Sequence, residues 1–283
     1  MSAQNAGGYF IPQPSHWPIV GSVALLTTAI GFVFYLAGSQ AGLGVVGLGL
    51  LILFFMMFGW FGSVIRESES GKYNAQVDLS FRWSMSWFIF SEVMFFAAFF
   101  GALYYARTMS VPWLGDIDNS LLWPNYKPTW PTVGPGLETS FHPVSWAGIP
   151  AINTALLLTS GVTVTWAHHA LRANHRGQLI AGLFLTVALG IIFLALQVHE
   201  YGDAYGELNL KLSSGIYGAT FFMLTGFHGF HVTVGTIMLI VILLRSMKGH
   251  FKPNHHFAFE AVAWYWHFVD VVWLGLFIFV YVL

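Results

Sequence analysis

The chain has 283 residues, of which 8% are charged and 56% hydrophobic, with a formal net charge of -1 and a mean hydropathy of +0.66. So few charges exclude a water-soluble globule, and the near-neutral balance gives no reason to expect nucleic acid as a partner. The absence of cysteine excludes disulfides, thiolate metal sites and iron–sulfur clusters, so any metal would need histidine and carboxylate.

Lipid offers backbone polar groups no partner, so spanning segments are helices or closed barrels, and long apolar runs predict helices. The opening MSAQNAGGYFIPQPSHWPIV lacks the basic residues of a secretory signal or transit peptide, which predicts that the first apolar segment is retained. At ~20 apolar residues per crossing, seven spans are predicted, at 17–38, 42–65, 83–106, 148–171, 178–201, 214–245 and 259–283. The expected fold is therefore all-α, an integral membrane bundle of seven transmembrane helices. A tail and two helices (1–65), a cytoplasmic linker (66–82) and a five-helix bundle (83–283) are the expected parts. In the second span Gly42, Gly44, Gly47 and Gly49 permit close helix approach. The outside loop at 108–147 carries Trp113, Trp123, Trp130 and Trp146, which suit a membrane surface or a partner protein.

Charge asymmetry predicts orientation. With the N-terminus in the cytoplasm, the inner segments hold Arg66, Lys72, Arg82, Arg172, Arg176, Arg245, Lys248 and Lys252, leaving Arg107, Lys127 and Lys211 outside. That excess of inner cations favours an inside N-terminus and an outside C-terminus.

Against this background a few polar residues stand out. In FIFSEVMFF (88–96), a rise of ~1.5 Å per residue from Trp83 puts Glu92 near the midplane. Charged groups there cost about 2.5 to 3.5 kcal/mol, while a central Leu, Ile, Phe or Val returns only about 0.3 to 0.6. The inexpensive form is the neutral acid, hydrogen-bonded to a neighbouring helix. Its two readings are a proton-linked group and a structural acid. In WYWHFVDVVW (264–273), His267 and Asp270 share a helix face and form an expected structural pair. In TGFHGFHV (225–232), His228 and His231 have the same spacing, which suits bonds across a helix interface or half a metal site; the depth of His231 makes it a candidate partner for Glu92.

His168, His169, His250, His255 and His256 gather on the inner face with Arg172, Arg176, Arg245, Lys248 and Lys252. A basic rim for anionic lipid head groups is the preferred reading, and no metal is expected. The alternative is a histidine-rich di-iron membrane oxygenase, although HxxxH and HxxHH boxes are absent; a small-solute transporter is a further rival. No GxSxG, Walker loop, Rossmann fingerprint or HExxH helix is present, so no catalytic residue is assigned to this chain.

Taken together, SHWP (15–18), VIRES (64–68), SEVMFF (91–96), INTALLLTSGVTVTWAHHAL (152–171), LQVHEY (196–201), YGATFFMLTGFHGFHV (217–232) and WYWHFVDVVW resemble subunit III of the cytochrome c oxidases, in the haem-copper oxidase superfamily. The motifs run along nearly the whole chain in order. The seven-span count agrees with that subunit, whereas the related quinol oxidase subunit usually has five, so cytochrome c is the expected donor to the complex. The resemblance implies an accessory subunit without a redox centre, with haem and copper in partner subunits I and II. It implies direct packing on subunit I, support of proton uptake and protection from inactivation during turnover. It also implies two helices and five helices arranged as a V whose cleft holds structural phospholipids. By position, Glu92 matches a buried family carboxylate that reacts with carbodiimides. Glu67, Arg245, Lys248 and His250 match positions near lipid head groups, and Trp60 lies at the matching helix end. Residues 73–79, where relatives often have further histidines, and the lengthened loop at 108–147 depart from the family pattern. The expected location is a bacterial plasma membrane, ahead of the mitochondrial inner membrane.

Overall fold

The computed structural model describes residues 12–136 and 140–283. The signal-peptide reading of residues 1–11 and the part of the outside loop at 137–139 lie outside the described residues. The chain forms two compact units, 1–81 and 82–283. Among the described residues, seven helices are long and apolar enough to cross a membrane. They are α1 (Trp17–Leu36), α2 (Ala41–Glu69), α3 (Ala75–Tyr105), α6 (Ile149–Arg172), α7 (Arg176–Gly206), α8 (Gly215–Met247) and α9 (Phe257–Leu276). Two short helices, α4 (Val111–Leu114) and α5 (Ile117–Ser120), lie in the loop after α3. The all-α membrane fold is as expected, but most helices outrun the predicted spans: α2 continues to Glu69 and α3 begins at Ala75. A hydropathy criterion stops at the first charges, whereas the backbone ladder continues into the polar interface.

Local chemistry explains where these helices begin and end. Pro18 and Pro150 stand in the first turns of α1 and α6, where a missing N–H costs nothing. Gly38, Gly71 and Gly249 follow the ends of α1, α2 and α8 at φ +85°, +69° and +77°. Each end closes with paired backbone bonds, as in Gly38 N–H to Tyr35 O and Ser39 N–H to Phe34 O, both 3.0 Å. Asn174, at φ 59°, does the same after α6. Within the spans, threonines return their hydroxyls to their own helix, as Thr165 Oγ1 does to Gly161 O at 2.8 Å, so few polar groups face lipid unpaired.

In the first unit α1 and α2 touch backbone to backbone. A Cβ on Gly42 would stand 2.3 Å from Tyr35 N, one on Gly31 2.5 Å from Val46 N, and one on Gly49 2.6 Å from Thr28 N. The pairs advance along α2 as they retreat along α1, which is an antiparallel register. Gly44 and Gly47 have nothing within 4 Å of a Cβ, so only part of the predicted glycine stripe serves the contact.

In the second unit α9 is the axis. Trp266 is fully buried and lies between two glycines, Gly190 of α7 and Gly235 of α8, where an added Cβ would approach its ring to 2.9 Å in each case. Its Nε1 donates to Ser160 Oγ of α6 at 2.9 Å, and Trp273 Nε1 donates to Thr154 Oγ1 of the same helix, also at 2.9 Å. Part of the long loop is pinned to this unit: the rings of Trp130 and Phe141 lie 5.5 and 5.1 Å from that of Tyr217. Trp113, Trp123 and Trp146 stay exposed.

Gly235→Leu should lower the midpoint of thermal unfolding in detergent, at a cost of about 1–3 kcal/mol from overpacking against Trp266. Gly229→Leu on the same helix, where a Cβ meets nothing within 4 Å, should leave that midpoint nearly unchanged.

Candidate functional site

Glu92 lies on α3 within a layer of rings. Phe95 meets Phe227 of α8 at 5.0 Å between centroids, and Phe96 meets His231 at 5.0 Å and Phe268 of α9 at 6.1 Å. Inside that layer His231 Nε2 stands 2.9 Å from Glu92 Oε2, and the imidazole is nearly buried, with a side-chain exposure of 9%. The other ring nitrogen, Nδ1, is 2.6 Å from Phe227 O. A carbonyl only accepts, so Nδ1 carries a proton. The Nε2–Oε2 contact then needs one more proton, held either by the carboxyl or by the imidazole. Both forms have zero net charge, and a bare carboxylate facing a bare Nε2 would oppose two lone pairs.

The remaining membrane histidines have other partners. His228 is fully buried, and its Nε2 donates to Val269 O of α9 at 3.2 Å, so His228 and His231 do not converge on one metal. His267 Nε2 lies 3.2 Å from Thr165 Oγ1, while its Nδ1 is 3.7 Å from Asp270 Oδ2, near but beyond hydrogen-bond length. Asp270 is buried against Gly161, where a Cβ would come within 2.6 Å of Oδ2.

The candidate head-group residues fall in both units. In the first, Trp60 is exposed on α2, and Glu67 Oε2 accepts a hydrogen bond from Tyr73 Oη at 2.9 Å. Burial, then this bond and the charge of Glu67, push the Tyr73 phenol well above its ordinary range. In the second, the Arg245 guanidinium sits 4.7 Å above the Phe251 ring, Lys248 is exposed at the end of α8, and His250 is half-buried beyond it. A pocket of about 230 Å³ next to them is lined by Asn174, His175, Arg176, Ser246 and Lys252, among others.

Two polar groupings escaped the sequence reading. Glu200 of α7 is buried, and its Oε1 accepts from Tyr281 Oη at 2.7 Å and from Gln197 Nε2 at 3.0 Å; Asn153 Nδ2 of α6 reaches Gln197 Oε1 at 3.4 Å. The available signal was Gln197 and Glu200 three apart in an apolar run. Glu260 of α9 is the second: it binds Arg82 of α3 through Oε2, and its Oε1 lies 3.1 Å from His256 Nε2 and 3.7 Å from His168 Nε2. Here the histidines were singled out and their carboxylate was not. His169 and His255 point away and are exposed.

A family model described as cytochrome c oxidase subunit III matches residues 7–283. The chain is 43% identical to cytochrome c oxidase subunit 3 of Dugong dugon over 274 residues, covering 96% of each chain. It is 43% identical to that of Drosophila melanogaster over 282 residues, covering 99% of this chain and 98% of the relative. The same protein of Struthio camelus is 42% identical, with 99% and 98% covered.

Glu92→Gln presents an amide N–H to His231 Nε2 and should cost under about 1 kcal/mol of thermal stability, whereas Glu92→Ala leaves the nitrogen unpaired and should cost about 1–3 kcal/mol. Thermal unfolding of the two variants measures the difference.

Proposed function

We propose a role from one premise: this chain belongs to the cytochrome c oxidase subunit III family. It is a multi-span membrane protein and an accessory subunit of an oxidase complex, and its family is not the redox-bearing one. Family membership selects this reading over the oxygenase and the transporter.

Within the complex we place the chain directly against subunit I, with subunit II as a further neighbour, haem and copper in those partners, and cytochrome c as electron donor. The role is to sustain proton uptake by subunit I and to protect it from inactivation during turnover. The observation that carries this reading is the Glu92–His231 contact. A carboxyl and an imidazole share a proton between α3 and α8 without net charge, so the site can hold and reposition a proton in a medium that penalises ions. His228, His267 and Asp270 are the polar surroundings of the pair in the same bundle.

The inner ends of the helices carry the second half of the role. Arg245, Lys248 and His250 of the second unit, and Trp60 and Glu67 of the first, hold phospholipid head groups. The cation clustering at Arg176, Arg245, Lys248 and Lys252 supports this reading, since anionic lipid needs charge more than fixed geometry. The same cations support an N-terminus on the inner side of the membrane and a C-terminus on the outer side.

Glu92→Gln keeps the hydrogen bond to His231 but holds an amide in place of the transferable proton, so in the intact oxidase it should slow proton uptake or hasten turnover inactivation severalfold. Wild-type values for proton uptake, turnover and inactivation would reduce Glu92 to a structural acid. Neutralising Arg245 and Lys248 together should lower the phospholipid retained on purification, measured by phosphorus analysis; full retention would remove the head-group assignment.

A further inference from the structure

We propose that His168, His256 and Glu260 form a binding site for a borderline divalent cation such as zinc. These residues come from the end of α6, the segment before α9 and the first turn of α9, and their ligand atoms all lie within 4.8 Å of one another. The three separations are 3.4 Å between the two Nε2 atoms, 3.1 Å from His256 Nε2 to Glu260 Oε1 and 3.7 Å from His168 Nε2 to the same oxygen. Ligands bound tetrahedrally at 2.0–2.1 Å stand about 3.3 Å apart, so the three atoms already outline one face of such a shell. Water completes it at the fourth position.

The supporting contacts are those a metal site needs. His256 Nδ1 donates to Lys252 O at 3.1 Å, which fixes the ring and leaves the Nε2 lone pair for a metal. The segment carrying it is a tight turn, closed by Lys252 N–H to His255 O at 3.3 Å and His255 N–H to Lys252 O at 3.0 Å. Arg82 holds the second carboxylate oxygen, so Glu260 offers Oε1 alone and in one orientation. Two imidazoles and one carboxylate favour zinc-like ions over magnesium or calcium, which prefer oxygen. The nearby cations, Arg82 and Arg172, oppose a bound cation and weaken its affinity. The site needs no turnover chemistry: a bound ion would tie the α8–α9 connection to α6.

The test uses the intact, chelator-treated oxidase complex and diethyl pyrocarbonate, with adducts at individual histidines read by mass spectrometry. Zinc at ten times its Kd should suppress labelling of His168 by about tenfold through occupancy alone. The exposed His169 beside it should label as before. Equal labelling of His168 with and without zinc overturns the site, and equal protection by magnesium overturns its zinc-like character. In assembled Glu260→Gln complex the protection should weaken strongly; full protection there overturns the ligand set, and His256→Asn provides the same reading if that variant does not assemble.

Discussion

The contact between Glu92 and His231 sets the terms for the second unit, because it places two titratable groups inside apolar spans at 2.9 Å. With His231 Nδ1 committed to a carbonyl, the contact is satisfied in just two forms, and both are neutral. Hydrocarbon tolerates such a pair where it would reject an isolated carboxylate. Moving the proton across the bond changes no net charge, so the surroundings need not reorganise around an ion. That property makes an acid in this position usable as well as tolerable.

The pair sits between two kinds of helix contact. α3 meets its neighbours through Phe95, Phe96, Phe99 and Phe100, at ring distances, and the Glu92–His231 bond is a directional tie in that aromatic layer. Arg82 supplies another at the start of the unit by reaching Glu260. α9 behaves differently: Trp266 presses into Gly190 and Gly235, and indole N–H groups anchor it to α6. Glycine contacts fix the distance between backbones tightly, whereas ring contacts leave helices further apart and let side chains decide the fit. His231 of α8 therefore has a firm scaffold behind it and a softer aromatic contact with Glu92 in front.

The two halves of the function read here obey the same economy. Within the spans, polar groups are few and several are paired, as in the Glu200, Gln197, Asn153 and Tyr281 network, although Glu200 Oε2 and Asp270 Oδ1 are buried without a hydrogen bond among the described residues. At the ends of α6 and α8 and in the segments that follow them cations accumulate, where the polar interface can solvate them.

Much of this was legible in the residues themselves. The number of spans and the all-helical class follow from hydropathy, which acts locally along the chain. The span ends were less legible, since α2 and α3 continue into polar sequence that a hydropathy criterion discards. The sequence also marked Glu92, His228, His231, His267 and Asp270 as polar residues that lipid would not welcome. Depth along α8 already pointed to His231 as a partner for Glu92, whereas the direction each side chain faces was decided by the tertiary structure. His228 and His231 have the same three-residue logic on one helix, yet one faces Val269 O and the other Glu92. His168 and His256 converge on Glu260 from segments far apart in the chain. The outcome depends on how each helix is rotated about its axis against its neighbours, and that angle is set by the packing of whole faces, which periodicity in a single helix does not encode.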